Sequence, residues 1–489
     1  MKKKTFFLSS KLWCLGAFAL SMLAVSCAQD GFDDETFRTD VHNTELTSPA
    51  EKDISIESSS DGSLWIISWP VVTGAKEYDC QVYDTTTGDD IVLVDSIVDG
   101  VSFTVNREED SNYRFVIRTI ADETKGNTSP EASTTKMFSS FVPSFATIES
   151  GKDLAEYISG VTFPEDSEDE IVFDLQAGGT YTVNSGVDIG YRKVTFRCQN
   201  PNNRPIIAVN GEGNFVIQAG FTLKNLLLDC TDMTSGGLIA LSKEPDAKVP
   251  LNQDVYTAAQ TTNLYLLSDP VMIRNCMIKN LPKALFTNNG SAWAVVSLNV
   301  LDNIIQLNND KTTFIRLDDG SGALKNLNIK NNTIYNLQES NSAYFIRFNN
   351  ASNALKTWGS NNEKEKDRFV SDISNNTIMR TFTNKDFANN IPTDACFTNI
   401  MTNNIFIDVF RLSKYIISQH VKTIERNTIW GIVTTLDGTD KSTYCTEEDP
   451  GFVPPTEPLD LTKENGGLSL TPTGANASAW RSGDPRWLP

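Results

Sequence analysis

Residues 327–337 read LNIKNNTIYNL, and the centre of that phrase returns as ISNNTIM at 373–379, IMTNNIF at 400–406 and IERNTIW at 424–430. Aligned on the recurring Asn, the repeats fall at Asn303, Asn332, Asn376, Asn403 and Asn427. Cys276 and Leu226 take the same slot, each with an Asn one residue earlier. Most gaps are 24 to 29 residues, with longer ones of 44 and 50. A period in that range, with insertions that leave the phrase intact, marks a solenoid. The Leu grammar of leucine-rich repeats is absent. The segments alternate with period two, against the 3.6 period that helical repeats require.

Each repeat therefore reads as one coil of a parallel β-helix. Ile329 and Ile334 face inward, and the two Asn between them turn the corner. Asn suits a corner because it tolerates the left-handed conformation. Its amide also reaches the Asn one coil away, about 4.8 Å off, so the side chains form a ladder. These Asn residues are expected to be structural, not catalytic.

A chain of 489 residues exceeds one compact domain. Five segments are expected: an export signal (1–26), an acidic tether (27–50), a β-sandwich (51–140), the β-helix (150–435) and a C-terminal cap (436–489). The basic start Lys2–Lys4 precedes an apolar run ending in LAVSC, too short for a membrane span. LAVSC followed by AQDGFDDE resembles the signal of a Bacteroidetes-type surface lipoprotein. That resemblance implies cleavage before Cys27, acylation of Cys27, and an anchor in the outer membrane facing outward.

Net charge is −20. No basic face has the charge to release many counterions from a nucleic acid, so that partner class is excluded. Long-range steering of an acidic polysaccharide is also disfavoured, which leaves local basic sites. Six Cys remain after the signal and the lipidated residue, scattered and without a CxxC pair, and are expected in the core.

In 51–140, short alternating strands follow one another with turns between them. Tyr113, Phe115 and Ile117 share one face, with Arg114, Val116 and Arg118 on the other. Trp69–Pro70, then GAKEY, then NYRFVIR resemble a fibronectin type III module, which implies a spacer whose Trp65 and Trp69 pack in its core.

From 150 to 435 the chain resembles the right-handed parallel β-helix of the pectin- and pectate-lyase-like superfamily. GGTYTV at 178–183, KVTFRCQNPNNRPII at 193–207 and FTLKNLLLDC at 221–230 carry the likeness, and DPGF with the terminal GDPRWLP is similar to ends of surface lipoproteins from glycan-utilisation systems. The resemblance implies polysaccharide handling, but folds of this kind carry hydrolases, lyases and silent binding proteins alike. A polygalacturonase-like hydrolase needs paired carboxylates in motifs resembling NTD, DD and GHG. This chain has Asp318–Asp319 but no GHG, and only His42 and His420. That hydrolase is disfavoured.

FIRLD (314–318), FIRFN (345–349) and FRLS (410–413) form a second repeat. Inward apolar neighbours turn Arg316, Arg347 and Arg411 outward, the first two on adjacent coils. An Arg column on an acidic chain suits bidentate capture of uronate carboxylates. The alternative is a salt-bridge ladder in which Asp318 neutralises Arg316. If the protein is a lyase, Arg316 and Arg347 are the candidate bases. A further outward stripe runs Lys279, Gln306, Tyr335, Met379, Phe406, Trp430. Tyr335, Phe406 and Trp430 are candidates for stacking on sugar rings unless an insertion such as 350–369 covers them, and Trp358 in that insertion is another. Calcium is possible: a lyase of the family would hold it with carboxylates. Asp229, Asp232, Asp302, Asp372 and Asp408 are isolated along the coils.

The sequence thus leads to a non-catalytic lipoprotein that binds a polysaccharide, possibly uronate-rich, for a neighbouring glycan-uptake complex. A pectate-type lyase is the alternative, and a structural or adhesive surface protein the third.

Overall fold

The computed structural model describes residues 41–59, 64–86, 88–108, 111–164, 169–252, 264–318, 322–348, 369–389, 397–412, 421–431 and 445–489. Cys27, Trp358, Cys396, Asp319 and His420 lie outside them, as do the signal and most of the tether. Contacts divide the chain into two units, 1–143 and 144–489.

The first unit is antiparallel. Ser55–Ser58, Leu64–Ser68 and Ser102–Asn106 make a three-stranded sheet; Ile91–Val98, Ala75–Asp84, Asn112–Ala121 and Thr134–Ser139 make a four-stranded one. Period-two alternation decides which side chains meet: Tyr113, Phe115 and Ile117 from one sheet join Trp65, Ile67 and Trp69 from the other in one core. Tyr113 stacks on Phe138 at 4.9 Å, and Trp69 meets Tyr78 edge-on.

In the second unit three parallel sheets of twelve, ten and seven strands wind around one core. A single coil shows the pattern. Gly322–Lys330 joins the first sheet, Thr333–Asn336 the second and Ile346–Phe348 the third, before Phe369–Ser374 returns to the first. This is a parallel β-helix. Inward columns run across coils in register, such as Ile278, Ile305, Ile334, Ile378, Phe406 and Ile429. All six are buried, each contributing about 1.5–3 kcal/mol. The last rung, Cys445–Glu447, pairs with Asn427–Trp430, so the coil runs past the expected end at 435. At the other end Asp153 caps the helix Leu154–Ser159, accepting from the Glu156 N–H at 3.0 Å. The helix lays Leu154 and Ile158 on the core.

The paired Asn divide the labour at the corner. The first takes the left-handed backbone: Asn225, Asn275, Asp302, Asn331, Asn375, Asn403 and Arg426 all have φ between 50° and 60°. The second makes the ladder. Backbone N–H groups of Asn303, Asn332, Asn376 and Asn404 donate to Oδ1 of the next coil's Asn at 2.9, 3.0, 3.0 and 3.1 Å, ending at Asn427. Their Nδ2 atoms donate to the same oxygens and to carbonyls of the coil behind.

One expected register is corrected. Asn404, not Asn403, occupies the ladder slot, because Asn403 carries the positive φ. Phe406 consequently points into the core, and Ile407 takes the outward place assigned to it from sequence.

The described Cys80, Cys198, Cys230, Cys276 and Cys445 are buried. No helix among the described residues is long and apolar enough to cross a membrane.

Candidate functional site

Ile315–Leu317 and Ile346–Phe348 pair in the seven-stranded sheet with Arg316 opposite Arg347. Ile315, Leu317, Ile346 and Phe348 are buried, and that alternation turns both guanidiniums outward. Two like charges one strand apart repel by roughly 3 kcal/mol at an effective dielectric near 20. Asp318 offsets this. Its Oδ1 accepts from Arg316 Nε at 3.0 Å and its Oδ2 from Arg347 Nη1 at 3.0 Å. The Asp318 side chain is 10% exposed, against 40% and 46% for the two arginines. The carboxylate therefore sits beneath the pair while the guanidiniums meet solvent.

The arginines line a cleft of about 400 Å³ with Lys283, Lys311, Thr234 and Thr313. Lys311 stands 3.7 Å from the exposed Asp310, and Lys283 has no carboxylate partner among the described residues. Among the described residues, four cations thus gather near two carboxylates, with threonine hydroxyls beside them, on a chain whose net charge is −20. Such a surface is chemically suited to an anion carrying hydroxyls. Lys283 and Lys311 escaped the sequence reading. The signal for them was faint: LPKALF and DKTTFIR each place a lysine just before a strand of this sheet.

Arg411 stands apart. Asp386 bridges to it from the coil before, whereas the residue in register with Arg347 is Asn389. Its Nε donates to the buried Asp386 carboxylate, and its guanidinium lies 5.1 Å from the Phe410 ring.

The second stripe, Gln306, Tyr335, Met379, Ile407 and Trp430, forms the outer row of the ten-stranded sheet. Its first four members are buried beneath a strap from the C-terminal segment, which packs Leu459, Leu461, Leu470, Ala477 and Trp487 onto them. Tyr335 is therefore closed to a ligand. Its hydroxyl has no hydrogen-bond partner among the described residues, and burial pushes its pKa up. Trp430 alone stays open.

Asp484 holds the strap down. Its Oδ2 accepts from the Thr333 hydroxyl and from Arg486 Nη1, both at 2.7 Å, while Trp487 Nε1 donates to the Thr333 Oγ1 at 2.7 Å. Burial pushes the Asp484 carboxyl up to about 6, against the opposing pull of Arg486 and Thr333.

Of the carboxylates considered for calcium, Asp229 pairs with Lys279 at 2.9 Å, Asp302 with Arg274 at 3.3 Å, Asp372 with Lys330 at 2.5 Å and Asp408 with Arg380 at 3.4 Å. Among the described residues no three His, Cys, Asp or Glu side chains converge as a metal centre.

Two family models match the chain, each over about a third of its length. A domain of unknown function, DUF4992, matches residues 1–178, and another, DUF4957, matches residues 179–337. No curated protein matches in sequence. Among solved structures the chain is similar to pectate lyase PelI from Erwinia chrysanthemi, in complex with tetragalacturonic acid. Identity is 9%, coverage 82% of this chain and 89% of that one, and the TM-score 0.19. Pectate lyase Pel3 from Pectobacterium carotovorum gives 10% identity, 81% and 89% coverage, and a TM-score of 0.15. Similarity this low speaks for no shared chemistry, and the β-helix above rests on its own strand pairings.

Proposed function

We propose that the chain is a surface lipoprotein that binds an acidic, uronate-bearing polysaccharide in the basic cleft, for a neighbouring glycan-uptake complex. The cleft itself carries this reading: Arg316, Arg347, Lys283 and Lys311 face one concave surface of an otherwise acidic molecule. Guanidiniums spaced by one strand can each take a carboxylate of a uronate chain, and the threonines can meet ring hydroxyls. Asp318 steadies the arginine pair by accepting from both guanidiniums. The LAVSC sequence before Cys27 supports acylation there and an outward-facing outer-membrane anchor.

In this reading the first unit is a fibronectin type III spacer. Its three-plus-four strand order supports that, as does Tyr113, second in its strand, which donates its hydroxyl to the Glu108 carbonyl at 3.1 Å. The second unit would then be a right-handed helix of the pectin-lyase-like kind.

The favoured activity is binding without cleavage. An arginine clamped to Asp318 presents N–H donors and no acceptor, which suits gripping an anion rather than taking a proton from carbon. Affinity electrophoresis of residues 28–489 through polygalacturonate tests it, with ultraviolet absorbance of unsaturated uronates followed with and without Ca²⁺. Retardation that disappears in Arg316→Ala/Arg347→Ala, without absorbance, is the expected result. Rising absorbance would replace binding by lyase chemistry, and retardation untouched by the double substitution would remove the cleft from the account.

A further inference from the structure

Trp430 ends the outer row of the ten-stranded sheet where the strap no longer covers it. Trp430 is 41% exposed, whereas Ile407, its neighbour in register, is buried. Trp430 lines a cleft of about 380 Å³ with Arg380, Asp408, Asp449 and Val453, in the size range of small-molecule clefts.

The backbone builds this cleft deliberately. Asp408 has φ 52°, and its N–H donates to the Trp430 carbonyl at 2.9 Å. Gly431, at φ 65°, follows the tryptophan. A Cβ there would lie 2.3 Å from Asp408 Oδ1, so the missing side chain is what lets this carboxylate stand beside the indole. Arg380 Nε donates to Asp408 Oδ2 at 3.4 Å. Asp449 comes from the strap, held in a turn by the Gly451 N–H at 2.8 Å. Val453, also on the strap, is 79% exposed. Two large apolar side chains are thus left to water in one cleft beside groups that accept and donate hydrogen bonds.

We propose that this cleft is a second saccharide site, and that it takes a neutral pyranose rather than a uronate. A sugar ring presents a C–H face, which packs on indole, and an edge of hydroxyls, which donate strongly to carboxylates and accept from a guanidinium. Among the described residues, two carboxylates to one guanidinium make the cleft negative, the opposite of the basic cleft, and a uronate would meet like charge. The proposal uses no residue of the basic cleft and shares with the reading above only the ligand class. A polysaccharide with both acidic and neutral sugars would satisfy both clefts.

Calorimetric titration of residues 28–489 separates the two. The probes are xylohexaose, mannohexaose, maltohexaose, laminarihexaose, β-1,4-galactotetraose and tetragalacturonate. At least one neutral oligosaccharide is expected to bind. Trp430→Ala should weaken it about tenfold or more; Trp430→Phe should largely restore it, and Arg316→Ala/Arg347→Ala should leave it unchanged. Tetragalacturonate should respond to the arginine pair and ignore Trp430. Urea midpoints of each variant exclude unfolding as the cause. Absence of neutral binding, neutral binding that survives Trp430→Ala, or tetragalacturonate binding that depends on Trp430 would each overturn the proposal. None of these three would touch the basic cleft, whose own failure is read from the arginine variants.

Discussion

Two sheets of the same coil carry outward rows, and their fates differ. The row through Tyr335 and Met379 lies beneath the C-terminal strap as far as Ile407, whereas the row through Arg316 and Arg347 stays nearly half exposed. The backbone geometry is alike in both. What differs is the cost of leaving each row in water. A Tyr–Met–Ile row gains several kcal/mol from cover, while an Arg row would lose its solvation under the same cover and has Asp318 between its charges. The covered face gives stability, and the open face is the one proposed above for recognition.

The comparison breaks if the strap contributes little. Trp487→Ala should therefore have the largest effect, lowering unfolding free energy by about 3–5 kcal/mol, because it empties a buried indole site and removes the hydrogen bond that Thr333 accepts. Urea unfolding followed by circular dichroism measures it; a loss below about 1 kcal/mol would mean the strap merely rests on the sheet. Asn332→Ala strikes the corner that leads into the covered row. It leaves the Asn303 N–H without its acceptor and the Val300 carbonyl without its donor, at a cost of about 3 kcal/mol by the same assay.

Asp484 sharpens the comparison through pH. Its folded pKa of about 6 lies above the ordinary value of 3.8. Between those values the folded state binds more proton than the unfolded one, so this group's contribution is full below pH 3.8 and is lost as pH rises through 6. The stability difference between the native protein and Asp484→Asn should accordingly move in favour of the native protein by about 2–3 kcal/mol from pH 7.5 to pH 4. Paired denaturation curves at the two pH values would show it, and a flat difference would mean that Asp484 is solvated. On the open face, Arg347→Ala should change stability by less than about 1 kcal/mol, since an exposed pair is worth little. Its effect should appear instead in weaker retention by polygalacturonate gels.

Much of the coil was legible in the repeats because period-two alternation and a tolerant corner residue are local properties. The inward faces of Ile329, Ile334 and the Arg316 strand followed from them directly. The slip at Asn403 and Asn404 shows the limit: in T-N-N-I either Asn fits the phrase, and only the left-handed backbone at the first decides which one faces the ladder. Phe406 moved with it from the surface to the core.

The sequence by itself determined a solenoid of short parallel strands, an inward aliphatic column, an Asn ladder and outward arginines. All of these depend on spacing within one coil. Tertiary structure decided what meets those outward rows. The strap that buries Tyr335 joins Thr333 to Asp484 across 151 residues. Lys283, Lys311 and the arginine pair come together from three coils, and Asp449 reaches Trp430 only because the chain folds back after its last rung. No local periodicity encodes such encounters. They are chosen by the burial of apolar surface and the pairing of charge, and both depend on residues far apart in the chain.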